Sequence, residues 1–389
     1  MCSIASSLNN TLHLIDMDFL LQQMNEYVRR HELFTHETPP LKTPFKTPIV
    51  VMLSGGGDSV ALLHLLLELQ KDTSGNKTAD ESDQPSHIVA MHINHQLRGS
   101  EADADETFCI ELCANLDVPL TVHRLDVAGY AAQHKLNLED AGRILRYRKA
   151  EALLDELCDE RGVDRSEGRI AVAHTRDDRV ENFFTRAIFG SGLGGLAGMS
   201  PQRGRIVRPL LDVDRTQLRD WLIAAGHSWR EDPSNDDESR TRAFIRARIV
   251  PEAEKLRPNF RENLARTMDL VADDEKLLSD MALGFAQNFC HARTLNESIV
   301  LDARLLLTLD PVMARRVIRT AITETFDDAS RLDASHVVAI LEGLDILRQM
   351  VNSGEKLPPK KILYARDIPP ALRVKINCAT IAVARIEPV

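Results

Sequence analysis

Three features of the sequence predict a parallel, doubly wound α/β domain followed by an all-α domain and a short C-terminal β tail. The first is Ile49-Val50-Val51-Met52-Leu53, an apolar, β-branched run that passes straight into Ser54-Gly55-Gly56-Gly57-Asp58-Ser59 and then into apolar residues at helical spacing, Leu62, Leu63, Leu66, Leu67 and Leu69. The second is the βαβα alternation that continues to about residue 190, the pattern of a parallel sheet covered on both faces. The third is the change of character from Thr241 to Leu347, where the patterns are helical and no strand alternation is expected.

Taken in order, residues 16–33 read as an amphipathic helix with Phe19, Leu20, Met24, Tyr27 and Val28 on one side. It precedes the core strand and is expected to pack beside it. Prolines break the pattern between Thr38 and Pro48. After the first strand–turn–helix unit, the polar stretch Lys71 to His87 reads as a mobile surface loop. A second strand is expected at Ile88 to Ile93, followed by Asn94-His95-Gln96-Leu97-Arg98. A helix follows from about Glu101 to Leu116, with Ser100 as its N-cap. Pro119 to Val127 suits a third strand, Leu138 to Arg161 a long helix, Arg169 to Ala173 a fourth strand, and His174 to Gly190 a loop and helix. Arg208-Pro209-Leu210-Leu211 and a helix from Asp214 to Ala225 close the domain, and Asp232 to Ser239 is the candidate linker. The tail holds Pro358, Pro359, Pro369 and Pro370 and two β-like runs, Ile362 to Ala365 and Thr380 to Ala384, which suit a hairpin or a vestigial small domain. The division that results is 1–48, an N-terminal helix and linker; 49–235, the catalytic domain; 236–350, a helical domain; and 351–389, the tail.

A chain of 389 residues exceeds one ordinary domain. Hydrophobic content of 43% and charged content of 27% are those of a globular protein. No basic region with an apolar core opens the chain and no apolar stretch reaches spanning length, so a cytoplasmic protein without a membrane partner is expected. The cysteines Cys2, Cys109, Cys113, Cys158, Cys290 and Cys378 form no C-x-x-C pair, which leaves zinc and iron–sulfur sites little support. Cys109 and Cys113 stand four apart, as on the buried side of a helix. A net charge of −10 argues against a polyanion partner for the chain as a whole. The charge is uneven, however. Arg240, Arg242, Arg246, Arg248, Lys255, Arg257, Arg261 and Arg266 outnumber Glu252, Glu254 and Glu262 in one segment, which suits phosphate contacts as well as it suits a solvated helix face.

Ligands of open α/β sheets sit beyond the carboxyl ends of the strands. Ser54 to Ser59, Asn94 to Arg98 and His174 to Glu181 all begin at such ends, so they should converge on one crevice. Glycines and a helix N-terminus make the first of these an anion site, with Ser54, Gly55, Gly56, Gly57 and Ser59 as its donors. Asp58 would repel a bare phosphate but suits a bridging Mg²⁺. The loop lacks the spacing and lysine of a Walker A motif. Gly190 to Gly195 matches G-x-G-x-x-G but follows a helix rather than a strand, so a loop bordering the crevice is the better reading. Asp177, Asp178 and Glu181 lie within one helical turn and could bind an ammonium group or accept its proton, although acids favour a first turn anyway. Glu139, Arg143, Arg146 and Tyr147 share one helical face, as a surface salt bridge or as a binding face.

Ser54 to Ser59 resembles the SGGxDS loop of the N-type ATP pyrophosphatases, which cleave ATP between its α and β phosphates. Together with Ile93 to Arg98, Asn137-Leu138-Glu139 through Arg146-Tyr147, Ala173-His174 with Asp177, Asp178 and Glu181, Gly190 to Met199, Arg208 to Leu211, Asp232-Pro233-Ser234-Asn235 and Arg242…Ile245-Arg246…Pro251, it is similar to the tRNA(Ile)-lysidine synthetases, over roughly Ile49 to Phe260. Thr175, Arg179, Asn182 and Ala243 depart from that family's usual His, Gln, Thr and Asn. The resemblance implies an adenine nucleotide alpha hydrolase-like fold. It implies ATP and Mg²⁺ as cofactors, the ion at Asp58, and free L-lysine and tRNA(Ile) with a CAU anticodon as partners. The reaction implied is adenylation of the wobble cytidine at C2 followed by displacement of AMP by lysine, which makes AUA readable. Asp58, Asp177, Asp178 and Glu181 become the catalytic candidates, and Arg143, Arg242 and Arg246 the tRNA-binding ones. A tRNA thiolase of the same superfamily, which usually needs cysteine pairs, and a non-catalytic tRNA-binding module are the alternatives. The oligomeric state, a homodimer included, stays open.

Overall fold

In the computed structural model, which describes residues 19–34, 47–72, 87–96, 99–231, 241–326, 334–354, 361–369 and 371–386, the chain divides into two compact units, Met1–Asp269 and Leu270–Val389. In the first unit, helix α1 (residues 19–30) buries Leu20, Met24, Tyr27 and Val28 in the same cluster as Ile49 and Val51, so it belongs to the main core. Phe19 is 58% exposed, contrary to expectation. At 3.6 residues per turn it lies roughly 125° from the centre of the buried stripe.

The sheet is built on β1 (Ile49–Met52), with β2 (Ile88–Asn94), β3 (Leu120–Arg124), β4 (Arg169–Ala171), β5 (Gln202–Arg203) and β6 (Ile206–Val207) in the order β3-β2-β1-β4-β6-β5. All neighbours are parallel except β5, which pairs antiparallel with β6 at the edge. Side chains alternate across a strand. Ile49 and Val51 therefore enter one core with Leu62, Leu63 and Leu66 of α2 (Gly57–Asp72). Val50 enters the other with Ala150, Leu154 and Cys158 of α5 (Leu138–Arg161). The helices α3 (Ser100–Asn115), α4 (Val127–His134), α6 (Arg176–Phe189), α7 (Leu193–Leu196) and α8 (Arg215–Ala224) complete the layers. The expected third strand stops at Arg124, because Asp126 caps α4 by accepting from the Gly129 amide at 2.8 Å. At eight residues, α4 is too short to show a helical period in the sequence. The chain leaves β1 for β2 on one side and returns to β4 on the other, which opens a crevice at the carboxyl ends of β1 and β4.

After residue 240 come α9 (Thr241–Phe244), a π-helical turn (Ile245–Ile249), α10 (Val250–Leu256) and α11 (Phe260–Phe289). The expected linker at 232–239, Leu97, Arg98, Arg240 and most of the expected loop at 71–87 lie outside the described residues.

The second unit corrects the expectation of an all-α domain and a separate tail. Strands β7 (Cys290–Thr294) and β8 (Ser298–Asp302) interrupt the helices, and they join β9 (Tyr364–Ile368), β10 (Leu372–Ile376) and β11 (Thr380–Arg385) in an antiparallel sheet of order β7-β8-β11-β10-β9. The tail therefore supplies three strands rather than a two-stranded hairpin, and it shares a core with the helices instead of following them. Ile318 and Ile322 of α13 (Pro311–Thr323), Ile340 and Leu344 of α14 (Ala334–Asn352), and Val374, Ile376, Ile381 and Val383 of the sheet form one cluster, with α12 (Ala303–Thr308) beside it. β7 is an exposed edge with no apolar alternation, and β8 has only five residues, so neither competes with the helical signal around it. Gly343 brings α14 close to the sheet. A Cβ there would meet Ile376 at 2.6 Å and Tyr364 at 2.7 Å.

Candidate functional site

The glycine loop sits at the carboxyl end of β1 as expected, yet its three glycines are not equivalent. Only Gly55 has positive φ, at 89°, a region side chains disfavour. Its carbonyl accepts from the Arg230 amide at 2.9 Å. The Ser59 hydroxyl donates to the Gly56 carbonyl at 2.8 Å and accepts from the Ser54 amide at 3.2 Å, with the Ser54 hydroxyl 3.0 Å away. Ser59 is buried and shapes the loop, whereas Ser54 is exposed. Gly56 and Gly57 lead into α2, whose first amides have no acceptor within the helix.

Asp58 stands in the first turn of α2. Asp177, Asp178 and Glu181 stand in the first turns of α6, and the structure brings all four together. Thr175 precedes α6. Its amide and its hydroxyl both donate to Asp178 Oδ2, at 2.8 and 3.0 Å, which fixes that carboxylate. The group that joins the acids is Arg215, the first residue of α8. Its amide donates to Asp177 Oδ2 at 2.8 Å and its Nε to Asp58 Oδ2 at 3.0 Å. One Nη reaches Asp178 Oδ1 at 3.2 Å, and the other lies 3.5 Å from Glu181 Oε1. Glu181 also accepts two bonds from Arg246, at 2.7 and 3.2 Å, and Asp177 accepts from Arg261. Four carboxylates thus meet three guanidiniums. Burial raises the pKa of Asp58 while Arg215 pulls it down, and the carboxylates hold Arg215 above its ordinary value. The space left among Asp177, Val180, Glu181, Arg246, Val250 and Arg261 is only about 10 Å³, room for about one water molecule. A cation arriving at these acids must compete with a resident arginine.

The other side of the crevice is basic. His174 Nδ1 accepts from Arg208 Nε at 3.2 Å, just past the end of β6. Burial pushes the His174 pKa down to about 4, against the pull of Asp178 and with the help of Arg208, Arg242 and Arg143. Arg143 and Arg242 are exposed, and Arg143 stacks over Tyr147 at 5.8 Å. Arg143 makes no ion pair with Glu139 among the described residues. Asn94 is buried and donates to Asp103 and Glu106, at 3.0 and 2.9 Å, and so anchors the segment after β2.

Arg246 is the expected site residue that changes place. Expected with Arg242 among the tRNA-binding arginines, it lies in the π-helical turn and its guanidinium binds Glu181. A wider turn breaks the four-residue spacing that would place Arg242 and Arg246 on one face of an α-helix. Arg215 and Arg261 were missed as site residues. Arg215 stands seven residues after Arg208, at the start of a helix that follows the last parallel strand, and its position was the available signal. Arg261 shows no local signal, since its partner Asp177 is distant in sequence.

Cys109 and Cys113 are buried on α3, which pushes their thiols up to about 12 and about 11. No group of three or more His, Cys, Asp or Glu suited to a metal ion occurs among the described residues. Among them, no helix is long and apolar enough to cross a membrane.

The model of the PP-loop domain matches residues 28–253. The tRNA(Ile)-lysidine synthase of Geobacter sulfurreducens is 34% identical over 322 residues, 82% of this chain and 63% of that protein. The enzyme of the same name from Parabacteroides distasonis is 33% identical over 66% of this chain and 52% of its own length, and that of Porphyromonas gingivalis 38% identical over 57% and 44%. This chain therefore matches 44–63% of the length of these relatives. Among solved structures, the U34-tRNA thiolase NcsA from Methanococcus maripaludis is similar with a TM-score of 0.46 at 16% identity, over 65% of this chain and 80% of that one. With the glycine loop at the end of β1, the acids of α2 and α6 around it, and a domain match over more than half its length, the chain belongs to the PP-loop domain family.

Proposed function

We propose that the protein ligates free lysine to C2 of the wobble cytidine in a CAU-anticodon tRNA(Ile), with ATP as the activating substrate and AMP and pyrophosphate as products. The observation that carries the reading is the convergence of Asp58, Asp178 and Glu181 on one cation beside a glycine loop. Such a cluster attracts a lysine ammonium. A carboxylate within it can also take the proton that the amine must lose before it attacks. The oxygen at cytosine C2 is a poor leaving group, and adenylation replaces it with AMP. The names of the relatives point the same way.

The loop amides, with Ser54, would hold the phosphates. Asp58 would hold Mg²⁺ through one carboxylate. That donor set fits an ion whose remaining ligands are waters and phosphate oxygens, and not an all-protein cage. When bound, the ion offsets phosphate charge. Glu181 and Asp178 orient the amine, in exchange for Arg215 and Arg246. Arg143 and Arg242 lie on the basic side, where the tRNA backbone would run. A cytoplasmic location follows from the substrates.

The test is mass spectrometry of nucleosides after incubation with ATP, lysine and candidate tRNAs. The expected product is lysidine, with AMP and pyrophosphate in equal amounts. Asp58→Asn keeps the thermal melt and loses most turnover. ADP and phosphate as products would sink the proposal.

A further inference from the structure

The contact between Arg208 and His174 settles which nitrogen of the imidazole carries the proton. A guanidinium has five N–H donors, no acceptor, and stays protonated in proteins. Its Nε lies 3.2 Å from His174 Nδ1, so Nδ1 is the acceptor and the proton of the neutral ring is on Nε2. Arg208 is itself held in place. It is 5% exposed, its amide donates to the Pro201 carbonyl at 2.9 Å, and one Nη donates to the Ser200 carbonyl at 2.8 Å. His174 is held from the other side as well, being next to Thr175, whose bonds to Asp178 fix the start of α6.

From this geometry we infer that Arg208 is a positioning residue that locks His174 as a neutral Nε2–H donor facing an oxygen of the reacting nucleotide. The inference rests on the reaction proposed above for the identity of that nucleotide, but not for the tautomer. A neutral donor has a use in this crevice. Burial first, and then the basic groups Arg208, Arg242 and Arg143, keep His174 from charging, against the pull of Asp178 toward the imidazolium. A ring that stays neutral can donate to a phosphoryl or cytosine oxygen without taking the proton released by the lysine amine, which is left to the carboxylates. Were Nδ1 to hold the proton, Nε2 would become an acceptor and would repel the same oxygen. The same logic governs other sites in which the hydrogen bond at one ring nitrogen sets the role of the other.

The experiment uses Arg208→Gln, Arg208→Lys and His174→Gln in the full chain. Glutamine at 208 can donate or accept and so permits both tautomers, whereas lysine is donor-only. In ¹⁵N spectra of the histidine side chains at neutral pH, the wild-type protein and Arg208→Lys should show His174 as Nε2–H, and Arg208→Gln a mixture. In kinetics, Arg208→Gln should lower kcat about tenfold or more with little change in KM, and Arg208→Lys should recover most of it. His174→Gln keeps an amide N–H near the Nε2 position and has no tautomer to control. It should lower kcat about tenfold by itself, and adding Arg208→Gln should lower it less than threefold further. An Nδ1–H signal in the wild type overturns the inference. So does an equal loss from Arg208→Gln in both backgrounds, which would mark Arg208 as a structural residue only. The spectra need no substrate, so a protein that makes no lysidine yet shows Arg208-dependent Nε2–H refutes the reaction and leaves the positioning role standing.

Discussion

Replacing Arg215 with methionine removes the one cation that three carboxylates share while preserving most of the side chain's length. In the wild type, Arg215 is 17% exposed, Asp58 25%, Asp178 15% and Glu181 3%, so the cluster is screened little by solvent. Breaking a buried ion pair by removing one partner typically costs about 3–5 kcal/mol. For a domain of this size each kcal/mol lowers Tm by roughly 2–4 °C, which places the expected fall on the order of 10 °C or more at pH 7.5. The pH dependence has a definite sign. Burial already raises the pKa of Asp58 and Arg215 is the main opposing pull, so without Arg215 the carboxyl rises further. An acid whose folded pKa lies above its unfolded value destabilises the fold when charged, and the penalty fades as pH falls through the folded pKa. The gap in Tm between variant and wild type should therefore narrow from pH 7.5 to pH 5. The double variant Arg215→Met/Asp58→Asn, with one fewer repelling charge, should recover part of the loss at pH 7.5. Differential scanning calorimetry over that pH range is the assay. An Arg215→Met protein that melts with the wild type at pH 7.5, or whose deficit is the same at both pH values, refutes the account of Arg215 as the counter-ion of the cluster.

Three further outcomes are expected. Glu181→Gln removes a charged hydrogen-bond acceptor worth about 1.5–3 kcal/mol, so the KM for lysine should rise roughly 10- to 150-fold and that for ATP less than about threefold, measured as pyrophosphate release. Exchanging Arg143 and Arg242 for glutamine should weaken tRNA binding and reduce its salt slope by about 1.5, as two lost phosphate contacts imply, with ATP affinity unchanged. The control is Arg315 with Arg319, both exposed; Arg316 is unsuitable because it pairs with Glu275 at 2.7 and 2.8 Å. Equal losses from both double variants would deny the basic rim its special role. Gly343→Ala should lower the Tm of the second unit, although alanine is favoured over glycine by roughly 1 kcal/mol inside a helix, because the new methyl meets Tyr364 and Ile376. A raised Tm would show that α14 can shift to make room.

The parallel sheet was legible because its central strand β1 reads as an unbroken apolar run, Ile49 to Met52, with apolar runs in its neighbours, Ile88 to Met91 and Ile170 with Ala171. The loop and the acids of α6 were legible because their residues are adjacent in sequence and stand at strand ends. What escaped reading depends on residues far apart in the chain. Arg215 looks like any arginine in a first helical turn until the fold folds it onto Asp58, 157 residues earlier. Arg246 was assigned to phosphate because helical spacing assumes an α-helix, and nothing in Ile245-Arg246-Ala247-Arg248-Ile249 announces the wider turn. The strands of the second unit were missed for a related reason. β8 pairs on one side with β11, about eighty residues on, and on the other with β7, a nearby strand too exposed to show an apolar alternation.

Arg179 is buried at 4% exposure against Asp269, which is 63% exposed. The two members of this pair are unequal in what they demand. An aspartate on the open side of α11 is harmless without the arginine, whereas a buried arginine without the aspartate is a stranded charge. The pair can therefore be taken apart safely in one order only: in calorimetry, Asp269→Ala with Arg179 kept should lower Tm further than Arg179→Gln with Asp269 kept.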